Sequence, residues 1–363
     1  MTKVLIVEDS AVAREVLTRI LSSDPEIEII GTANNGEEAL KFLEQRRPDV
    51  VTMDIIMPRM DGYETTRRIM ESKPLPVIIV SASVSREEVE KTWKAVDAGA
   101  VAVLEKPGFG DIGIKRGHAE KLIETVKIMS QVKVVGRRGR QKSIERTPMP
   151  VPPVSPAPQA MSVGFQIVAI GASTGGPPAL REILAKLPQD FDVPVLVVQH
   201  ISPGFTQGFV DWLNGSCPMN VQLARNGEKA LPGNAYVAPD GCQMGIDPRR
   251  TIQVKPDKPK DGIAPSVAWL FKSTAEAFGE RSIGVLLTGM GRDGALELKL
   301  MRDKGAQTIA QDKESSVIYG MPGEAMKLGA VKYSLPIEKI GEMLCSLVKR
   351  KGNLPTLQKD SFT

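Results

Sequence analysis

Histidine is scarce in this sequence: the 363 residues hold only His118 and His200. Cysteine is nearly as rare. Cys217, Cys242 and Cys345 are far apart and none forms a C-x-x-C pair, which excludes a disulfide framework and the common zinc sites and suits a reducing compartment. Long apolar runs are also missing. Nothing approaches the ~20 residues a membrane helix needs, and the opening MTKVLIVEDS is charged where a signal peptide would be apolar. The formal net charge is only +4. No helix-turn-helix with a basic recognition helix follows residue 165, so no nucleic-acid partner is indicated. The expectation is a cytoplasmic protein that does not insert into membranes.

What remains is ordinary globular material, 42% hydrophobic and 25% charged, with a length that suggests two domains. Short apolar runs at 4–7, 27–30, 50–53, 77–80 and 101–104 leave room between them for helices. One such helix is marked by Val12, Val16, Leu17, Ile20 and Leu21 at helical spacing. This predicts a first doubly wound α/β domain over 1–125, flavodoxin-like, with a five-stranded parallel sheet. Residues 126–161 then carry the basic run GRRGRQK and six prolines between 148 and 158, a semi-extended linker. A second α/β domain, mostly parallel, is predicted over 162–352, with strands near 167–170, 195–198, 235–237, 283–287 and 308–310. Its helices fall near 178–187, 266–277, 295–303 and 337–349, and a hairpin near 246–254. A polar tail, 353–363, ends the chain.

Open α/β sheets bind ligands beyond the carboxyl ends of their strands. In the first domain those ends carry Glu8 and Asp9, Asp54, Ser81, and Lys106. Crowded carboxylates repel unless a cation neutralises them, and hard oxygen donors suit Mg²⁺. Asp54 is then placed as an in-line nucleophile that becomes an aspartyl phosphate, with Ser81 and Lys106 to sense the phosphoryl oxygens. Surface acids near helix N-termini are the plain alternative, but five such groups at four strand ends argue against it.

In the second domain the first strand runs into Gly171-Ala172-Ser173-Thr174-Gly175, a G-x-S-x-G turn able to present a serine at the sheet rim. A base is needed, and His200, the domain's single histidine, directly follows the second strand. Asp190 and Asp192 precede that strand and fall at its far end, whereas Asp293 follows the strand near 283–287. Ser173, His200 and Asp293 thus converge as nucleophile, base and orienting acid. Backbone N–H groups at Thr174 and Met290 are the oxyanion candidates. A dinucleotide fold would need an acid where Gln199-His200 stands. A P-loop would need a lysine after the glycines.

The blocks VLIVEDS, VVTMDIIMPRMDG, VIIVSAS and LEKP resemble the response-regulator receiver family. The resemblance implies that a histidine kinase phosphorylates Asp54. It also implies that Glu8, Asp9, Asp54 and the carbonyl of Ile56 hold Mg²⁺. The aromatic often found three residues before the lysine is Val103 here. From 165 to about 350, IGASTGGPPAL, VVQHISPGF, ARNGEKALPGNAYVAPDG, GVLLTGMGRDGA and QDKESSVIYGMP resemble the chemotaxis protein-glutamate methylesterases of CheB type. That resemblance implies hydrolysis of glutamate methyl esters on methyl-accepting chemotaxis receptors, often with deamidation of receptor glutamines; the sequence of this domain offers no ligand cluster, so no cofactor is expected for the esterase step. Many relatives have histidine where Gln243 stands and an acid where Ala268 stands. The competing reading is a phosphorylation-controlled binding module with an inert hydrolase-like domain. In either case the unphosphorylated receiver is expected to cover the rim that bears Ser173.

Overall fold

The computed structural model describes residues 1–82, 85–107, 116–132, 134, 164–257 and 263–348. Of the expected linker, 133 and 135–161 lie outside the described residues, as does the tail 353–363. Two sheets organise the rest. The N-terminal one contains β1 (Thr2–Val7), β2 (Ile27–Ala33), β3 (Val50–Met53), β4 (Val77–Ser81) and β5 (Ala102–Glu105), in the order β2-β1-β3-β4-β5, all parallel. Its central strands are apolar runs buried on both faces, as a sheet covered by helices on each side requires. The covering helices are α1 (Ala11–Leu21), α2 (Gly36–Gln45), α3 (Gly62–Ser72), α4 (Arg86–Ala98) and α5 (Arg116–Met129). Ser10, Asn35, Asp61 and Ser85 start the first four by accepting a backbone N–H three residues on, the usual helix N-cap. Helix α5 runs to Met129, and Val132 still packs on the sheet's core. The packed N-terminal domain therefore passes the expected boundary at 125 by about two turns.

The second sheet follows the chain through β6 (Ile167–Ala172), α6 (Gly176–Leu184), β7 (Val195–Gln199), α7 (Thr206–Asn214), β8 (Asn220–Leu223) and β9 (Asn234–Val237). A hairpin of β10 (Cys242–Ile246) and β11 (Ile252–Pro256) stands apart as an antiparallel pair. Then come α8 (Val267–Phe278), β12 (Ser282–Leu286), α9 (Ala295–Asp303), β13 (Gln307–Gln311), α10 (Met321–Lys327), β14 (Tyr333–Leu335) and α11 (Ile337–Val348). The seven-stranded order is β14-β13-β12-β6-β7-β9-β8, parallel throughout. Strands β8 and β14 and helices α7 and α10 have no counterpart in the sequence expectation. Among the described residues no helix is long and apolar enough to cross a membrane.

The two domains touch through α4. Its Ala95 faces its own sheet, while Val89, Trp93 and Val96 join the hydrophobic cluster of the second domain. Trp93 is buried against Phe209 and Trp212 of α7, with ring centroids 5.1 and 5.5 Å away. Gly208 of α7 allows this approach: a Cβ there would stand 2.1 Å from Val89 Cγ1. Asp97 completes the contact by pairing with Arg181 of α6 and accepting from Trp212 Nε1 at 2.9 Å, while the Arg181 guanidinium lies 5.0 Å from the Trp212 ring. Removing so large a buried ring costs on the order of 3–5 kcal/mol in a core. Trp93→Ala should therefore part the domains while each sheet stays folded. Small-angle scattering would register a larger radius of gyration with an unchanged far-ultraviolet spectrum, and an unaltered radius would contradict the anchor.

Candidate active site

Strands β12, β6 and β7 are neighbours in the second sheet, so the turns leaving their carboxyl ends share one rim. Ser173 leaves β6. Its N–H donates to Thr288 O at 3.1 Å, and its carbonyl accepts from Gly176 N at 2.8 Å and Gln199 Nε2 at 2.7 Å. Gly175 closes the turn at φ 78°, a left-handed conformation that favours glycine. Thr288 is fixed in turn, its N–H donating to Gln311 Oε1 at 2.9 Å and its hydroxyl accepting from Ile318 N at 2.9 Å. The serine's backbone is thus gripped by residues at the ends of both flanking strands and of β13.

His200 leaves β7, its N–H donating to Ala172 O at 3.0 Å. Its Nε2 lies 2.9 Å from Asp293 Oδ2. The same carboxylate accepts from the first free N–H groups of α8, Val267 N at 2.7 Å and Ala268 N at 3.0 Å. Burial works against the charge on Asp293, but the hydrogen bond to His200 and the two backbone donors outweigh it and hold the acid below its ordinary value. An ionised acid can only accept, so Nε2 carries the proton and Nδ1 is left as the basic nitrogen. Ser173 Oγ makes no hydrogen bond among the described residues, and unliganded sites commonly tighten only on binding. Thr174 and Met290 line the same cavity, and among the described residues their N–H groups have no acceptor.

That cavity measures about 300 Å³ and has two walls. One is the rim, with Ser173, Thr174, Gly175, His200 and Met290. The other belongs to the N-terminal domain, with Trp93, Val96, Val103, Leu104, Lys121 and Thr125. Val103, at the position where the receiver family often has an aromatic, thus lines the same cavity as Ser173. Ser173 is 8% exposed under this cover. His118 sits on α5, away from the cavity lining.

At the rim of the first sheet, Glu8, Asp9 and Asp54 offer oxygens within 4.8 Å of one another. Lys106 Nζ bridges Glu8 at 3.0 Å and Asp54 at 2.9 Å. Glu8 Oε2 is buried and, though near that ammonium, makes no directed hydrogen bond. Burial raises the pKa of Glu8 and of Asp54, and crowding by Asp54 adds to the effect on Glu8. For Lys106, burial is outweighed by the two carboxylates, which hold its ammonium above its ordinary value. Three carboxylates with oxygens this close fit a hard divalent cation. Ile56, whose carbonyl was expected to join them, stands two residues beyond Asp54. Ser81 ends β4 at this rim, but its hydroxyl is engaged by α4. It donates to Glu88, and Ala82 N donates to the same oxygen at 2.7 Å.

Sequence reasoning did not find Glu88, Gln199, Thr288 or Gln311. The last three are polar residues at or just beyond the carboxyl ends of buried strands, a pattern that marks positions where a strand meets a site.

A family model described as CheB methylesterase matches residues 168–344, and one described as response regulator receiver domain matches 4–112. The protein-glutamate methylesterase/protein-glutamine glutaminase 1 of Syntrophus aciditrophicus is 53% identical over 351 residues, 96% of this chain and 98% of that protein. The protein-glutamate methylesterase/protein-glutamine glutaminase of Nitrosospira multiformis is 49% identical over 358 residues, 97% of this chain and 98% of that protein. The CheB methylesterase catalytic domain of Thermotoga maritima, a crystal structure, is 36% identical, covers 51% of this chain and 100% of its own, and superposes with a TM-score of 0.49.

If the carboxylate cluster takes a divalent cation, Mg²⁺ should stabilise the fold, by about 2.7 kcal/mol at a hundredfold excess over its dissociation constant. Thermal unfolding with and without Mg²⁺ checks this. The midpoint should rise in the native chain and not in Asp9→Asn/Asp54→Asn, and an equal rise in both would contradict the site.

Proposed function

The chain belongs to the CheB methylesterase family, fused to a response regulator receiver domain, and on that premise we propose that it hydrolyses glutamate γ-methyl esters on methyl-accepting chemotaxis receptors in the cytoplasm. One observation carries the reading. Ser173, His200 and Asp293 meet at three adjacent strand ends, with His200 already bonded to an acid held ionised. Ser173 Oγ attacks the γ-carbonyl while its proton passes to His200 Nδ1. The tetrahedral oxyanion is met by the N–H groups of Thr174 and Met290. Collapse expels methanol, which takes the proton from His200, and leaves a Ser173 acyl ester. Water, deprotonated by His200, then releases the glutamate carboxylate and restores the serine. With a glutamine side chain the leaving group is ammonia, so the same residues serve deamidation.

The receiver supplies control. A histidine kinase phosphorylates Asp54; Glu8, Asp9, Asp54 and the Ile56 carbonyl would hold Mg²⁺, which would neutralise charge on the phosphoryl oxygens. Lys106 and Ser81 take the remaining oxygens. For Ser81 this means leaving Glu88, and the phosphoryl charge repels the Glu88 carboxylate as well. Both effects loosen the start of α4, the helix whose Trp93 anchors the receiver over the rim.

Three results are expected. Ser173→Ala and His200→Ala should each lose methanol release from methylated receptor fragments by several orders of magnitude. Asp293→Asn should lose somewhat less, on the order of 10³–10⁴-fold. Near-native release by Ser173→Ala would end the assignment. For control, Glu88→Gln weakens a charge-assisted bond to a neutral one, a difference of ~1 kcal/mol, so the unphosphorylated rate should rise roughly fivefold. Acetyl phosphate should load one hydroxylamine-labile phosphoryl group on the native chain and none on Asp54→Ala. A Glu88→Gln chain with the native basal rate and the native response to acetyl phosphate would contradict this route.

A further inference from the structure

Gln243 lies on β10, outside the cavity that holds Ser173, yet it is buried and both ends of its side-chain amide are hydrogen-bonded. Its Oε1 accepts from Ser266 N at 2.8 Å. Its Nε2 donates to Ile263 O at 2.8 Å and to Asp257 Oδ2 at 3.1 Å. Ser266 is the N-cap of α8, and its hydroxyl accepts from Trp269 N at 3.2 Å. The next two residues, Val267 and Ala268, donate the two backbone hydrogen bonds that Asp293 receives. An unbroken series of contacts therefore runs from the Gln243 amide to the α8 N-terminus, to the Asp293 carboxylate and to His200 Nε2.

The free N–H groups of a helix's first turn must be aimed to act on an anion. Here the aim is set by Ser266, and Ser266 is fixed from outside the helix by Gln243. We infer that Gln243 is a positioning residue of the esterase. By pinning the start of α8 it keeps Asp293 in register with His200, and so keeps Nδ1 as the basic nitrogen. The inference rests on the catalytic roles given to Ser173, His200 and Asp293. It adds a determinant outside that triad and outside the substrate's reach. The two ends of the amide have separate duties. Oε1 serves the helix start, and Nε2 serves Asp257 and Ile263, the latter a residue of the cavity wall.

Two substitutions separate the duties. Gln243→Met is close in size and removes both. Gln243→Glu keeps an acceptor for Ser266 N and removes the donors. The full chain, loaded with acetyl phosphate, is assayed for methanol release from methylated receptor fragments. In parallel, ¹⁵N-histidine labelling follows the imidazole protons, which two histidines make simple to assign with His118→Gln. Gln243→Met should lower kcat at least tenfold with KM within about threefold, and should lose the hydrogen-bonded Nε2 proton of His200. Gln243→Glu should keep that proton and lose less kcat. Native turnover in Gln243→Met would overturn the inference, as would lost turnover with an unchanged His200 proton. Should Gln243→Met fail to fold, a folded Gln243→Glu chain that lacks the His200 proton would overturn it equally. Ser173→Ala serves as the reference. It should keep the proton and lose turnover, and turnover by Ser173→Ala would indict the triad and not Gln243.

Discussion

The contact between the receiver and esterase domains is anchored by the seating of Trp93. The ring lies buried between Phe209 and Trp212 and puts the wall formed by β5, α4 and α5 across the rim that bears Ser173. Aromatic rings of this kind dominate interface energetics. The contact nevertheless carries a cost: among the described residues the buried Trp93 Nε1 has no acceptor, and an unserved donor costs about 1–3 kcal/mol. A contact with both a large apolar anchor and a built-in penalty can hold the domains together and still yield to a modest change. Few kcal/mol are needed to move a two-state equilibrium from a closed to an open majority.

The source of such a change lies on the same helix. Glu88 and Trp93 are five residues apart on α4, roughly 7–8 Å along its axis at ~1.5 Å per residue. One end of the helix is tied through Glu88 to Ser81 and Ala82 at the rim that bears Asp54. The other end is tied through Asp97 to Arg181 and Trp212. On the proposed reading, a charge added at Asp54 would act at the start of a helix that itself carries the interface residues Val89, Trp93 and Asp97. No longer path through the sheet is required.

Much of this was legible in the sequence, for identifiable reasons. Parallel strands buried on both faces are short unbroken apolar runs, so β1, β3, β4, β6, β7 and β12 could be read directly. The acid rim and the serine, histidine and aspartate followed from asking what stands after each run, and a domain with one histidine left one base. The missed strands sit at the sheet's edges, where β8 and β14 are short and half-exposed and carry little apolar period. The missed α10 is only seven residues long. Glu88 and Trp93 were beyond sequence reasoning, and Gln243 stood out only as a departure from relatives, because their partners lie in other elements. Trp93 looks like one more apolar residue of a helix until α7, 115 positions further on in the case of Asp97 and Trp212, is brought against it. Ser81 was placed at the correct rim, but its bond to Glu88 depends on where α4 begins.

The central claim is that the unphosphorylated receiver withholds Ser173 from a bulky substrate. It is tested most directly by comparing methanol release from methylated receptor by the unphosphorylated full chain and by a fragment starting at Met161. Occlusion predicts a faster fragment whose rate ignores acetyl phosphate. Equal rates for fragment and unphosphorylated chain would contradict occlusion and make the receiver a targeting domain instead.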